Sequence, residues 1–382
     1  MQESSSTSAS DDTFTKDDSD SLAILRSFPP ELITEILLRL PARSLLKFKC
    51  VSKSWRSQIS SPQFTKSHFE ISSSNPDHRR LLMWSIFQGY YYLRQCSVNT
   101  LFCDDFSSDG IDLENPIKRH DRYVSYVGDY QGLICVCVGR KTLFLWNPTL
   151  RKWKKYPHFH VGLNRKLEPY YVVFGFGYDE TNDDYVVCSV VCHRGFLDLA
   201  IGEAKVYVCG LKARSWRRIQ SFEGGGHPWE DNRAIFLNGK FHWTLEKKRS
   251  GKIVTMDLAT ETYGTIDEPK NGKGPGKLGI FEGCLCILAN NKHLGHSEFF
   301  IMKEYGVKES WTKVLNIHCN PMRNFMSVPF CASSLMEDEF LMILGRELGL
   351  YNQENNGFKQ VKDFFGTIYT ANLFVESLIM PM

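Results

Sequence analysis

Residues 28–64 read FPPELITEILLRLPARSLLKFKCVSKSWRSQISSPQF, and this stretch decides how the first part of the chain folds. Its apolar residues recur every three or four positions, which is the period of one face of an α-helix. Pro30 suits a first helical turn, Glu31 favours the positive end of the helix dipole, and Pro41 stops the pattern. The spacing therefore predicts a helix over roughly 31–40.

A second helical pattern follows, with apolar residues spaced by three, three, four and four positions: Leu45, Phe48, Val51, Trp55 and Ile59. Ser52 is placed to cap a break within it. We expect three short helices around one small core. About forty residues cannot enclose so many large apolar side chains, so some of them should remain exposed as a surface for a partner.

Beyond Phe69 the helical period gives way to short runs rich in β-branched and aromatic residues, which are typical of strands. A repeat organises these runs. An aromatic residue follows a polar turn five times, at intervals of 63, 47, 48 and 47 residues: Trp153, Trp216, Tyr263, Trp311 and Phe358. An apolar strand precedes each one, and paired turn residues such as Gln131-Gly132 lie further upstream. Units of about 40 to 50 residues with four strands each indicate propeller blades.

The predicted fold is α+β and multidomain, with a small N-terminal three-helix domain followed by an all-β part. The run from Leu81 to Leu93 suggests one more unit, which makes a β-propeller of about six blades. We predict a disordered acidic leader at 1–24, the helical domain at 25–69 and the propeller at 78–378.

The recurring aromatic residues are expected to pack between neighbouring blades. Binding loops on propellers lie around the central channel, and the candidates here are 223–229 and 271–276.

Composition excludes several classes of function. A net charge of +3 without a dense Lys/Arg stripe does not indicate nucleic-acid binding, and no apolar run approaches the roughly 18 residues that span a membrane. Without an export signal, the twelve cysteines are expected as reduced thiols in the cytoplasm or nucleus. Metal-ligand spacing, a phosphate-binding loop and a nucleophile elbow are all missing from the sequence. We therefore predict no catalytic residues, no cofactor and no metal.

The helical segment resembles an F-box. The similarity rests on the opening Phe28 to Leu32, the centre Glu35 to Pro41 and the close Cys50 to Trp55, with Phe28 in place of the usual Leu and Ser52 where Cys is common. F-boxes dock onto the Skp-type adaptor of cullin-RING ubiquitin ligases, so the resemblance implies this adaptor and, through it, a cullin as partners. The positions that match the family's contact surface are Pro29, Leu32, Ile36, Leu40, Pro41, Leu45, Leu46, Val51 and Trp55.

The remainder, over about residues 100–375, resembles the plant F-box-associated domain. The similarity rests on motifs in the family's order: Gly132-Leu133, Trp146-Asn147-Pro148-Thr149, Phe174-Gly175-Phe176-Gly177-Tyr178-Asp179, Val206-Tyr207, Ser215-Trp216-Arg217, Leu237 to Trp243 and Ser310-Trp311-Thr312-Lys313. Members of that family combine the domain with an N-terminal F-box and recruit substrates.

Together the resemblances imply the substrate-recognition subunit of an SCF-type ubiquitin ligase, whose helical domain docks the adaptor and whose β domain binds a client protein. Such a subunit is not an enzyme. An alternative of another class stays open: a propeller that binds glycans or is itself an enzyme, with a merely structural helical segment. A variant of the ligase hypothesis assigns a pollen self-incompatibility client, because S-locus F-box proteins share this two-part plan. The sequence does not identify the client.

Overall fold

The computed structural model describes residues 29–102, 111–113, 124–139, 141–159, 170–193, 204–222, 227–228, 233–246, 251–269, 276–291, 296–318, 326–332, 338–361 and 367–381. The expected leader at 1–24 lies outside these residues. So do the two candidate binding loops, apart from His227, Pro228 and Gly276.

Four α-helices open the described chain: α1 (Pro30–Leu38), α2 (Ala42–Phe48), α3 (Lys53–Ile59) and α4 (Pro62–Ser73). The prediction of three helices is therefore short by one. Ser61 starts the additional helix, since its hydroxyl accepts a hydrogen bond from the backbone N–H of Phe64 at 3.2 Å and a proline follows it. The predicted break at Ser52 is confirmed, because its hydroxyl accepts a hydrogen bond from the N–H of Trp55 at 3.1 Å.

The described strands form six antiparallel sheets, the blades of a propeller. Blade 1 contains β1 (Arg79–Phe87), β2 (Tyr90–Ser97), β3 (Ile111–Asp112) and the last strand, β25 (Thr367–Val375). Blade 2 contains β4 (Val124–Tyr130), β5 (Leu133–Val138), β6 (Thr142–Asn147) and β7 (Lys152–Lys155). Blade 3 contains β8 (Tyr170–Asp179), β9 (Asp184–His193), β10 (Lys205–Gly210) and β11 (Trp216–Arg218).

Blade 4 contains β12 (His227–Pro228), β13 (Ile235–Leu237), β14 (Lys240–Glu246), β15 (Lys252–Asp257) and β16 (Tyr263–Asp267). Blade 5 contains β17 (Lys277–Phe281), β18 (Cys284–Asn291), β19 (His296–Met302) and β20 (Trp311–His318). Blade 6 contains β21 (Cys331–Ala332), β22 (Glu339–Leu344), β23 (Glu347–Asn352) and β24 (Gly357–Gln360). The prediction of about six blades is confirmed.

The two ends of the propeller close the ring within one sheet. β25 pairs antiparallel with β1, and Arg79 lies opposite Val375 where the pairing starts. This pairing joins residues almost three hundred positions apart in the sequence, so neither end leaves an unpaired strand there. The run from Leu81 to Leu93, the weakest of the predicted units, lies in β1 and β2 of this blade.

Six buried apolar clusters fill the six junctions between neighbouring blades. Strand β5 shows how one apolar run serves two junctions. Leu133, Cys135 and Cys137 point into the junction with blade 3, whereas Ile134 and Val136 point into the junction with blade 1. Side chains alternate across a strand, so a strand covered on both faces has to be apolar throughout.

The recurring aromatic residues begin the outermost strands, as the repeat predicted. Three of them bond to the end of the outermost strand of the preceding blade or to residues just after it. Trp216 Nε1 donates to the carbonyl of Pro157 at 3.2 Å, Trp311 Nε1 to that of Asp267 at 2.9 Å, and the Tyr263 hydroxyl to that of Gln220. Packing between blades is thus confirmed for these positions. It is wrong for Trp153, which is 53% exposed and contacts Phe144 of its own sheet.

Gly175 brings the inner strands of blades 3 and 4 together. It forms a parallel bridge to Ala234, and a Cβ at this position would meet the carbonyl oxygen of Ala234 at 2.7 Å. Only glycine allows two backbones to approach so closely. The Gly175-Phe176-Gly177 motif therefore serves packing around the central channel.

Candidate functional site

The four helices share one small core with apolar side chains of the propeller. Its buried members are Leu37, Leu38, Ala42, Leu45, Ile59, Phe64 and Leu378. Phe48 and Trp55 flank this core and meet edge to face, with ring centroids 5.6 Å apart. All four helices are thus fastened by packed side chains, α1 through Leu37 and Leu38.

Three large apolar side chains of the predicted contact surface face solvent instead. Leu32, Ile36 and Val51 are exposed by 50%, 56% and 59%. Leu32 and Ile36 are four residues apart and therefore lie on the same face of α1. Pro29 and Pro41 are also exposed, at the residues that precede α1 and α2. We call these five residues the apolar docking surface.

The other four predicted positions are less accessible. Leu40, Leu46 and Trp55 are half-buried and pack against the helical core. Leu45 has no exposed surface at all, so it supports the surface from beneath and cannot itself touch a partner. Leu45 is buried because it lies on the inner face of α2. The spacing of apolar residues alone does not show which side of this helix faces the core.

The helical module is strongly cationic. Residues 29–59 contain six Lys and Arg side chains against two Glu, a net charge of +4. One ion pair links Arg39 to Glu35 at 3.3 Å on the exposed face of α1 and its C-cap. Burial lowers the pKa of Lys49, and the nearby Arg56 lowers it further. The charge around the apolar docking surface therefore suits an acidic partner.

The module sits directly on the propeller. Leu378, which follows β25, lies in the helical core, and Leu150 in the β6–β7 turn packs against it. Two arginines hold the same carboxylate here: Glu376, which is 4% exposed, lies 3.0 Å from Arg43 of α2 and 3.3 Å from Arg80 of β1. These contacts fix the helices to the ring.

A buried amide reinforces this attachment of the helices to the propeller, which we call the seat. Asn147 Nδ2 donates to the backbone carbonyls of Ser377 at 3.0 Å and Ile379 at 2.8 Å. Gly132, with φ +75°, lies against the same tail, and a Cβ there would meet that of Ser377 at 2.4 Å. Sequence reasoning missed this seat. Asn147 and Gly132 were noted only as family motifs, and the Glu376 tail carries no pattern of its own.

Among the described residues, the helices contact one end of the ring only. Turns of an antiparallel blade fall alternately at its two ends. The helices meet the end that carries the β6–β7 turn and the residues after β25. The β1–β2 turn at Gln88-Gly89 falls at the opposite end, and Phe87 and Tyr90 beside it are exposed.

The central channel encloses about 910 Å³ and contains a group of linked polar side chains. Arg233, just before β13, lies over the ring of Tyr126 with 4.5 Å between its Cζ and the ring centroid. Its Nη1 donates to Asn372 Oδ1 at 2.9 Å, and the Tyr126 hydroxyl donates to Asp129. The sequence gives no sign of this group, because its members come from three blades.

The described residues also bear on metal ligands, cysteines and membrane-spanning helices. Within them, no three His, Cys, Asp or Glu side chains are arranged to hold a metal ion. The ten cysteines described are all free thiols, and burial raises the pKa of Cys135 and Cys188. None of the helices in the described ranges is long and apolar enough to cross a membrane.

Comparison with known families agrees with this architecture. The F-box domain matches residues 25–67, and the F-box associated beta propeller domain matches residues 91–369. A helical F-box followed by a six-bladed propeller defines the class. The chain belongs to the plant F-box proteins that carry an F-box associated β-propeller domain.

Relatives in Arabidopsis thaliana share both parts. The F-box/kelch-repeat protein At3g23880 is 29% identical over 364 residues, which cover 93% of this chain and 96% of the relative. The F-box protein CPR1 is 27% identical over 384 residues, which cover 93% and 89%. Among solved structures, an oligogalacturonate lyase in complex with manganese is 10% identical with a TM-score of 0.43, covering 76% of this chain and 77% of its own.

Proposed function

We propose that this protein is the substrate-recruiting subunit of an SCF-type cullin-RING ubiquitin ligase. The F-box binds a Skp-type adaptor and, through it, a cullin, while the propeller binds a client protein. The observation that carries the proposal is the apolar docking surface: Leu32, Ile36 and Val51 are at least half exposed, although they belong to a small module with a packed core. Exposed apolar side chains grouped on one small module mark an interface.

The client is expected at the end of the ring away from the helices. That end would remain free when the adaptor is bound, and Phe87 and Tyr90 are exposed there. The rigid seat of the F-box on the ring would hold the client at a fixed distance from the conjugating enzyme. The protein would then promote ubiquitin transfer by raising the effective concentration of the client near the conjugating enzyme, and this chain itself would catalyse no reaction. We expect the protein to act in the cytoplasm or nucleus.

Ile36→Asp tests the adaptor contact. The change places a charge on the apolar docking surface, at a side chain outside the helical core. Affinity for a purified plant Skp-type adaptor should therefore fall by about 30-fold or more, as for an interface hot spot. Calorimetric titration of the full chain measures it.

Ile71→Asp is the matched control, because Ile71 is an exposed isoleucine on α4 outside the predicted surface. It should bind the adaptor as the unchanged protein does. Equal affinity of the Ile36→Asp variant and the unchanged protein would refute the proposal, provided both melt at the same temperature.

A further inference from the structure

Arg233 crosses the central channel. It precedes the inner strand of blade 4, yet its guanidinium bonds to Asn372 on blade 1 and lies over Tyr126 on blade 2. Blades 1 and 4 stand opposite each other in a ring of six. The hydrogen bond and the cation–π contact hold the guanidinium in place and engage only one of its five N–H donors in a described hydrogen bond.

The oxygen of the Asn372 amide accepts a hydrogen bond, whereas its nitrogen is buried without a hydrogen-bond partner. Arginine can only donate hydrogen bonds, so the oxygen of the amide must face Arg233 and the nitrogen must point elsewhere. The side chain is buried, and no described residue accepts a hydrogen bond from Nδ2. A buried donor without an acceptor is destabilising. Nδ2 has almost no accessible surface, so this donor stays inside the channel wall, and the role of Asn372 is to hold the Arg233 guanidinium at the channel.

The channel wall also has an excess of positive charge. Four cationic side chains line it, against the two acidic residues Asp129 and Glu282: Arg79, Arg233, Lys277 and Arg346. Asp129 is open to the channel, but the surrounding walls desolvate it and raise its pKa, against the lowering effects of the Tyr126 hydroxyl and Arg233. Lys277 donates to the carbonyl of Met326 at 3.0 Å, which holds its ammonium at the wall.

We propose that the channel binds a carboxylate group, whose oxygens accept hydrogen bonds from the free N–H donors of the Arg233 guanidinium, which Asn372 and Tyr126 hold in position. A carboxylate offers two acceptor oxygens in a plane, which is the geometry a guanidinium recognises. A volume of about 910 Å³ admits a small organic acid or a short peptide end. The carboxylate site itself does not depend on the ligase function. Its use as a client contact, if a peptide carries the carboxylate, rests on the proposed function.

Calorimetric titration of the full chain tests the site with three probes: citrate, the hexapeptide Gly-Ser-Gly-Ser-Gly-Tyr with a free C-terminal carboxylate, and the same peptide with an amidated C-terminus. At least one of the two carboxylate probes should bind saturably, and the amidated peptide should not. Binding of citrate alone identifies a free organic acid as the ligand class. Binding of the free peptide identifies a protein end.

Two variants assign the contact to its residues. Arg233→Gln and Asn372→Asp should each weaken binding of the successful probe by about tenfold or more. Asn372→Asp keeps an oxygen for Arg233 and adds a negative charge that competes with the carboxylate probe for the guanidinium, so it decides the question even if Arg233→Gln fails to fold. Arg214→Gln, on the exposed β10–β11 turn, is the matched control and should bind normally. No saturable binding of either carboxylate probe up to ~10 mM, or binding that both variants leave unchanged, would overturn the site.

The failure of this site and the failure of the ligase proposal are distinguishable. Arg233→Gln should retain full affinity for the Skp-type adaptor, because Arg233 lies in the channel and the apolar docking surface lies on the helices. Conversely, Ile36→Asp should bind the carboxylate probe as the unchanged protein does.

Discussion

The propeller and the helical module treat their apolar side chains differently. In β5, successive residues from Leu133 to Cys137 are all buried, because each faces one neighbouring blade or the other. In α1, Leu37 and Leu38 are buried while Leu32 and Ile36 remain in solvent. The neighbouring blades thus cover both faces of this strand. The module has too few residues to cover α1 in the same way and leaves one face of it in solvent.

A second difference concerns how each region is completed. The ring is completed by its own last strand, since β25 pairs with β1. The module is completed by the propeller, since Leu378 fills part of its core and Glu376 holds its α2. The C-terminal segment thus serves both regions, first as a strand of the ring and then as the seat of the helices.

Removal of the C-terminal segment should have the largest effect on folding. A chain that ends at residue 366 lacks β25, exposes the inner edge of blade 1 and loses Leu378 from the helical core. We expect it to show no cooperative thermal unfolding, followed by near-ultraviolet circular dichroism. A chain that ends at residue 379 is the control and should unfold cooperatively. A folded, monomeric product ending at residue 366 would show that β25 does not close the ring.

Buried polar groups in the ring should make its stability fall in acid. His242 is fully buried, its Nδ1 lies 3.1 Å from the carbonyl of Ile235, and its Nε2 lies 2.7 Å from the Tyr305 hydroxyl. A carbonyl can only accept, so Nδ1 carries the proton. Nε2 accepts a hydrogen bond from the Tyr305 hydroxyl, and the imidazole of His242 is therefore neutral. Burial lowers the pKa of His242 from 6.5 to about 4, against the raising effect of its backbone hydrogen bonds.

The direction of the pH dependence of stability follows from proton binding. Between pH 6.5 and 4 the unfolded chain protonates this histidine and the native chain does not, so the free energy of unfolding falls as the pH falls. His242 should account for a loss of about 3 kcal/mol between pH 7 and pH 4. Denaturant unfolding at both pH values measures it, with His242→Gln for comparison. The variant should be less stable at pH 7 but lose less stability on acidification. Parallel pH profiles would contradict this assignment.

Breaking the ion cluster of the seat should have a smaller effect. Glu376→Gln removes the buried carboxylate that Arg43 and Arg80 share, and should lower the free energy of unfolding by about 2 kcal/mol, because both arginines keep some contact with water. Glu35→Gln is the matched control, since it breaks the exposed pair with Arg39 and should cost less than about 0.5 kcal/mol. Equal effects of the two substitutions in denaturant unfolding would mean that the seat contributes nothing.

Much of the fold could be predicted because its signals are local and periodic. The aromatic repeat located the outermost strands, and paired turn residues such as Asn238-Gly239 have the positive φ angles expected of hairpin turns. The helical period placed Leu32 and Ile36 on one face of α1. The helical period could not show how exposed each side chain is. Leu45 matched the same contact pattern, yet it is fully buried.

The contacts between distant segments could not be predicted. The Glu376 cluster joins residues from α2, β1 and the C-terminus, and the channel group joins blades 1, 2 and 4. A lone Arg233 or Asn372 has no pattern that distinguishes it from an ordinary surface residue. Only the closure of the ring brings them within hydrogen-bonding distance, and that closure is a property of the whole chain.

Amide hydrogen exchange of the full chain, with and without a purified plant Skp-type adaptor, tests most directly whether the helices dock and the ring stays free. Adaptor binding should slow exchange within residues 29–59, above all in α1, and leave the strands of all six blades unchanged. Protection that falls on the blades instead, with α1 exchanging as fast as in the free protein, would contradict this division of roles.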